Sequence, residues 1–170
     1  MSGSLLFGGE LAFNRGMSHL SGPEILAHAY KVAQGQKGGT LATVHAEDGT
    51  PYLTFVLMHL REDGKVLFGS GPAPQHARNM RSTPEVSVLI DNREMLDTDW
   101  AAFDRIVIEG SAERLEKSDE RYAPYLEELR EKDEAAAGFT EQGGLYCVTP
   151  RRLVLMKGLE PHRNIVEFEG

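Results

Sequence analysis

A short predicted helix directly behind a strand gathers side chains that could bind an anion. Pro72 and Pro74 precede or begin this helix, and its first N–H groups have no intrahelical acceptor. The helix dipole adds partial positive charge at the same end, which suits a phosphate group. On spacing alone, a solvated helix that packs Ala77 and Met80 on the rest of the protein is the favoured interpretation. The candidate ligands are Gln75, His76, Arg78, Asn79 and Arg81.

Other kinds of site find little support in the sequence. The stretch GQKGGT places its lysine wrongly for a nucleotide phosphate loop, and no complete G-x-G-x-x-G follows a strand. The six histidines are scattered without the i, i+4 spacing of a helical metal site, so we expect no metal centre. Cys147 lies in an apolar run and is expected to be a buried, inert thiol. No side chain stands out as a general acid or base, so the catalytic residues stay unassigned.

Composition narrows the class of protein. The chain has 170 residues, which fits one domain, and a formal net charge of −8. This charge argues against a nucleic-acid-binding protein, because phosphate backbones need clustered positive charge. No run of apolar residues is long enough to span a membrane, and the N-terminus lacks the features of a signal peptide. We therefore expect a cytoplasmic protein with no nucleic-acid or membrane partner.

The chain alternates predicted strands and helices in an order dominated by hairpins. Residues 1–18 are read as an N-terminal arm, and residues 19–170 as a single domain. A capping box at Ser21-Gly22-Pro23-Glu24 begins the first helix. The short helix described above is the second, a third is predicted at Ser118–Lys132, and Glu134–Gly143 is read as a loop. Asp-Gly turns join the early strands, and Gly110 suggests a bulge or a close approach. The predicted strands are Thr40–Ala46, Pro51–Leu60, Lys65–Ser70, Glu85–Asp91, Arg105–Leu115, Gly144–Thr149 and Arg151–Lys157.

Short strands joined by hairpins favour an antiparallel barrel or sandwich, of which we expect a small barrel closed by helices. The strand Pro51–Leu60 is nearly all apolar, so we expect both of its faces to be covered.

Four stretches, in this order, resemble the FMN-binding split barrel of the pyridoxamine 5′-phosphate oxidase-like superfamily. They are GTLATVHAEDGTPYLTFVLMHLREDGKVLFGSG, QHARNMRSTPEVSVLID, IVIEGSAERLE and LYCVTPRRLVLMKG. The resemblance implies a mainly β (α+β) fold, an antiparallel split β-barrel of six to seven strands in Greek-key order with peripheral helices. The motif QHARN is most similar to the heme-utilisation branch, because Gln75-His76 stands where oxidase-like members carry an Arg-Lys pair that grips the FMN phosphate.

This resemblance also implies a function and a partner. It implies a homodimer with FMN at the subunit interface, acting as an oxidoreductase on a small-molecule substrate. The cofactor-binding residues that it implies are Thr54, Phe55, Val56, Ser70, Gln75, His76, Arg78, Asn79 and Trp100. Two alternatives stay open: a heme-binding or heme-degrading protein with His162 as the iron ligand, and a dimeric module without a cofactor.

Overall fold

The computed structural model describes residues 20–97 and 99–169, and the predicted N-terminal arm lies outside these ranges. Within these ranges, four helices and seven strands follow one another, with two short 3-10 turns at Arg93–Met95 and Trp100–Ala102. The helices are α1 (Gly22–Gln34), α2 (Gln75–Ser82), α3 (Tyr122–Lys132) and α4 (Glu134–Gln142). The strands are β1 (Gly38–Val44), β2 (Pro51–Leu60), β3 (Val66–Gly69), β4 (Glu85–Asp91), β5 (Asp104–Leu115), β6 (Leu145–Lys157) and β7 (Asn164–Glu167).

The first helix begins where the capping box predicts. The Ser21 backbone N donates to the Glu24 carboxylate at 2.8 Å, which satisfies an N–H at the helix start. Ile25, Ala29 and Ala33 share one face of α1 and are buried against the sheet. This helix therefore covers the barrel along its apolar stripe.

The strands form an antiparallel barrel, which confirms the predicted fold class. The sheet order is β3-β2-β1-β4-β5-β6-β7, and an additional pairing of β3 with β6 closes six strands into a barrel. β7 lies outside this closure and pairs only with β6. The barrel interior holds a cluster that includes Leu41, Val88, Ile106, Ile108 and Leu153, all at most 1% exposed.

One strand stands where two were predicted. β6 runs without interruption through Pro150, instead of dividing into Gly144–Thr149 and Arg151–Lys157. Pro150 faces Gly110 at the point where the register of β5 with β6 shifts. A bulge is one of the few places where a sheet tolerates proline, because a ladder hydrogen bond is already lost there. The bulge predicted at Gly110 is confirmed, and it explains why the proline does not break the strand.

The stretch predicted as a loop at Glu134–Gly143 is helical. Asp133 caps α4, since its carboxylate accepts from the backbone N of Ala135 at 2.8 Å and of Ala136 at 3.1 Å. The predicted helix Ser118–Lys132 is shorter than expected and begins at Tyr122. Together α3 and α4 cover a second apolar cluster on the outer side of β3 and β6, where Cys147 is buried as predicted.

The expectation that β2 is covered on both faces is wrong for the single chain. Its second half is buried, but Leu53 is 65% exposed and Phe55 62% exposed. Both side chains point to the same face, because residues two apart on a strand do so. None of the helices in the described ranges is long and apolar enough to cross a membrane.

Candidate functional site

A cleft of about 430 Å³ lies outside the barrel, between β2, the end of β3, the start of α2, and α4. We call it the β2–α4 cleft. Most of its wall is apolar, and its polar side chains come from Ser70, His76 and Gln142. It brings together four of the residues predicted to bind a cofactor, which are Phe55, Val56, Ser70 and His76.

Two of these residues form a hydrogen-bonded pair in the wall of the cleft. His76 Nε2 lies 2.8 Å from Ser70 Oγ, and both side chains are buried. Burial lowers the pKa of His76, so the imidazole is neutral near physiological pH. The position where the family's lysine is expected therefore contributes a hydrogen-bonding group here and no positive charge.

The other polar side chains of α2 anchor this helix to β1 and to the preceding turn. Asn79 is 1% exposed and donates from Nδ2 to Thr43 Oγ1 at 2.9 Å, which ties α2 to β1. Gln75 Nε2 donates to Asn79 Oδ1 at 2.8 Å and extends this series of hydrogen bonds toward the surface. Arg78 is exposed and donates to the Ala73 carbonyl at 2.5 Å and to Gln75 Oε1. These three residues lie beside the cleft and do not line it.

Helix α4 forms the opposite wall, which sequence reasoning missed. Ala136, Phe139 and Gln142 line the cleft from this helix. A Cβ placed on Gly69 would lie 2.1 Å from Thr140 Oγ1, so only glycine permits this close approach of β3 to α4. The signal was present in the sequence: Asp133 is a good N-cap, and Glu134 followed by three alanines favours a helix.

The remaining predicted residues lie elsewhere. Thr54 is half-buried on β2 next to Phe55. Trp100 is 58% exposed and packs edge-on against Phe103, with ring centroids 5.6 Å apart. His162 lies in the segment between β6 and β7.

Trp100 and His162 lie near the end of β6 that follows the bulge, and neither lines the β2–α4 cleft. β6 begins beside Gly69, at the cleft, and ends opposite Asp104. The glycine that follows it, Gly158, packs closely on Ala101. One chain therefore does not bring Trp100 or His162 together with the four predicted residues that line the cleft.

A second cleft, of about 570 Å³, lies between α1, β2 and α3 and is lined by charged side chains. His59 is 7% exposed there, with Nε2 3.7 Å from the Glu128 carboxylate and a buried Nδ1 that has no described hydrogen-bond partner. Burial lowers the pKa of His59. Within the described ranges, no group of three or more His, Cys, Asp and Glu side chains is placed to hold a metal ion.

Comparison with known proteins adds a family and a set of similar folds. The sequence model described as pyridoxamine 5′-phosphate oxidase matches residues 26–149. A search of curated proteins finds no match.

Three solved structures with a similar fold are 14% to 23% identical to this chain. The heme binding protein from Mycobacterium smegmatis is 21% identical with a TM-score of 0.73, over 87% of this chain and 60% of that chain. HutZ, the heme storage protein from Vibrio cholerae, is 23% identical with a TM-score of 0.61, over 78% of this chain and 93% of that chain. ChuZ from Campylobacter jejuni is 14% identical with a TM-score of 0.66, over 83% of this chain and 58% of that chain. At these identities the similarity establishes the fold.

Proposed function

The chain belongs to the pyridoxamine 5′-phosphate oxidase family, and we propose that it binds FMN in the β2–α4 cleft of a homodimer and acts as an oxidoreductase on a small molecule. The observation that carries this proposal is the convergence of Phe55, Val56, Ser70 and His76 on one cleft. These residues were predicted from the sequence as cofactor ligands, and they come from three separate elements.

The residues of the cleft suit a phosphorylated flavin. The apolar walls from β2 and α4 suit a flat conjugated ring, and the start of α2 offers N–H groups to a phosphate. Ser70 adds a hydroxyl at the same end. When bound, FMN would supply the electron or hydride transfer, and the chain would orient the ring and exclude water.

An exposed apolar face on β2 supports the homodimer. Leu53 and Phe55 expose most of their side chains side by side, beside the cleft, and such patches commonly mark protein–protein contacts. In a two-fold dimer the same surface serves both protomers. In such a dimer the exposed Trp100 of a partner could complete the cleft, which Trp100 does not line within its own chain.

Heme is the second candidate, and the neutral His76 favours it. The walls of the cleft contain no lysine or arginine among the described residues, so the usual cation for a phosphate is missing. Two proteins of similar fold are named for heme binding or heme storage. In this alternative His162 of a partner protomer is the candidate iron ligand, and a dimer without any cofactor is the third reading.

Titration of the purified protein with FMN, and separately with hemin, distinguishes these candidates. FMN binding should shift the flavin absorbance bands, and His76→Lys should tighten it about tenfold or more, since a charge-assisted hydrogen bond contributes about 1.5–3 kcal/mol. His45→Lys, which adds the same charge outside the cleft, is the matched control. Arg78→Glu should weaken FMN binding by placing a negative charge at the start of α2.

The titrations also define what would refute FMN. If neither the wild type nor His76→Lys binds FMN at micromolar concentration, the FMN proposal is wrong. A Soret band on addition of hemin that is lost in His162→Ala would establish the heme alternative instead. If neither the flavin shift nor the Soret band appears, the dimeric module without a cofactor is the interpretation that remains.

A further inference from the structure

Two arginines beside the β2–α4 cleft make few contacts with carboxylates within the described ranges. Most other arginines are held in ion pairs, for example Arg121 with Glu113 at 2.7 Å. Arg81 forms no ion pair within the described ranges, and donates instead to the Pro72 carbonyl at 3.2 Å. Arg114 approaches only Glu116, at 3.5 Å. Both guanidinium groups therefore keep most of their donors available.

The backbone holds Arg114 in place at the mouth of the barrel. A Cβ on Gly144 would lie 2.5 Å from Arg114 Nε, so the absence of a side chain at residue 144 makes room for the guanidinium. Arg114 Nη2 lies 3.5 Å from the carbonyl of Gly143, and Gly143 itself lines the cleft. The Arg114 guanidinium therefore lies next to a residue of the cleft wall.

A buried tyrosine lies opposite Arg114 on the neighbouring strand. The register of β5 with β6 places Arg114 opposite Tyr146, whose ring stacks on Phe68 with centroids 5.4 Å apart. Burial raises the pKa of Tyr146, and the positive charges of Arg114 and Arg81 act against that rise. The phenol is therefore protonated near neutral pH and can donate a hydrogen bond, and both arginines lie within electrostatic range of it.

We propose that Arg81, Arg114 and Tyr146 form an oxyanion site at the barrel mouth, which binds the phosphate or carboxylate group of the molecule in the β2–α4 cleft. We call these three residues the barrel-mouth cluster. Arginine presents paired N–H donors that match phosphate and carboxylate oxygens. The turn that carries Pro72 also supplies Gly71 and Pro74 to the cleft wall, so both arginines flank the same rim. The cluster would supply the positive charge that His76 does not.

This inference rests on the proposal that the cleft binds a cofactor, and comparison of ligands with and without their acidic groups tests it separately. FMN is compared with riboflavin, which lacks the phosphate, and hemin with its dimethyl ester, which lacks free carboxylates. Inorganic phosphate alone is titrated by calorimetry as a third probe. Each is measured on the wild type, on Arg81→Gln/Arg114→Gln and on Tyr146→Phe.

A control variant removes the same charge elsewhere. Lys31→Gln/Arg151→Gln loses two positive charges at exposed positions that line no cleft, and far-UV circular dichroism confirms that each variant is folded. The double arginine variant should lose about tenfold affinity or more for the acidic ligand and little for its neutral counterpart. Tyr146→Phe keeps the stacked ring and should lose affinity by a smaller factor. The control should match the wild type.

The outcomes separate the two proposals. If no flavin binds but inorganic phosphate binds the wild type and not the double variant, the oxyanion site stands and the FMN proposal fails. If the double variant no longer binds hemin more tightly than the dimethyl ester, the oxyanion site is supported, with a carboxylate as its ligand. If the preference for the acidic ligand is the same in the double variant and the control, or if no probe binds, the oxyanion site is refuted.

Discussion

Gly69 lies at the end of β3 directly beneath α4, and a methyl group added there has no room. Its Cβ would lie 2.1 Å from Thr140 Oγ1 and 2.8 Å from the Thr140 backbone N. Because a backbone atom is among the close contacts, rotation of the threonine side chain cannot relieve them. Gly138, in the middle of α4, is the matched control, since a Cβ there meets no described heavy atom within 4 Å.

The two substitutions should change stability in opposite directions. Gly69→Ala should lower the free energy of unfolding by about 1–3 kcal/mol, the usual cost of overpacking. Gly138→Ala should raise it by about 0.5–1 kcal/mol, because alanine stabilises a helix interior relative to glycine. For a chain of this size 1 kcal/mol corresponds to about 2–4 °C in Tm, so Gly69→Ala should lower Tm by about 2–12 °C.

Thermal and urea denaturation followed by far-UV circular dichroism measure both effects. Gly69→Ala should also weaken ligand binding in the β2–α4 cleft, because displacement of α4 moves Phe139 and Gln142 with it. If Gly69→Ala is as stable as the wild type, or if Gly138→Ala lowers Tm equally, the contact between β3 and α4 is not the one described.

Three further perturbations test other parts of the structure. Burial raises the pKa of the Cys147 thiol to about 11, so iodoacetamide at pH 8 should label the protein only after denaturation, and rapid labelling of the folded protein would contradict its burial. Burial lowers the pKa of His59, so the unfolded chain binds a proton more readily, and the free energy of unfolding should fall as pH drops through about 6.5 toward the folded-state pKa. His59→Gln should reduce that slope in urea titrations between pH 7.5 and pH 5, and an unchanged slope would exclude His59 as its source. Asn79→Ala leaves the buried Thr43 hydroxyl without its partner and should lower the free energy of unfolding by about 1–3 kcal/mol. Thermal denaturation measures this change, and an unchanged stability would show that this hydrogen bond does not anchor α2.

Local signals in the sequence were sufficient to predict most of the barrel. Asp-Gly turns and alternating apolar residues mark β1 to β4, and the structure places these strands where they were expected. The closure of β3 on β6 joins residues about 80 positions apart along the chain, and no local pattern encodes it. The strands joined by hairpins led us to expect a small barrel, and the family resemblance, which carries the whole order of strands, implied the split barrel.

The site was harder to predict, because its walls come from distant elements. Ser70 and His76 are close in sequence, and their pairing could be expected from the turn between them. The contribution of α4 was missed because Gly138 and a short apolar face make the stretch look irregular. The neutral state of His76 depends on burial, and the position of Arg114 depends on the register of β5 with β6, so neither can be read from residue type alone.

Strand β6 has different neighbours on the two sides of its bulge. Before Pro150 it is held between β3 and β5 and completes the barrel beside the cleft. After Pro150 it lies between β5 and β7, and leads to the segment that carries His162. The ladder with β5 resumes beyond the bulge, and Leu153 and Leu155 on that part of β6 are buried in the barrel interior. The bulge therefore allows one continuous strand to pair with β3 at the end beside the cleft and with β7 at its other end, while both parts stay in the barrel.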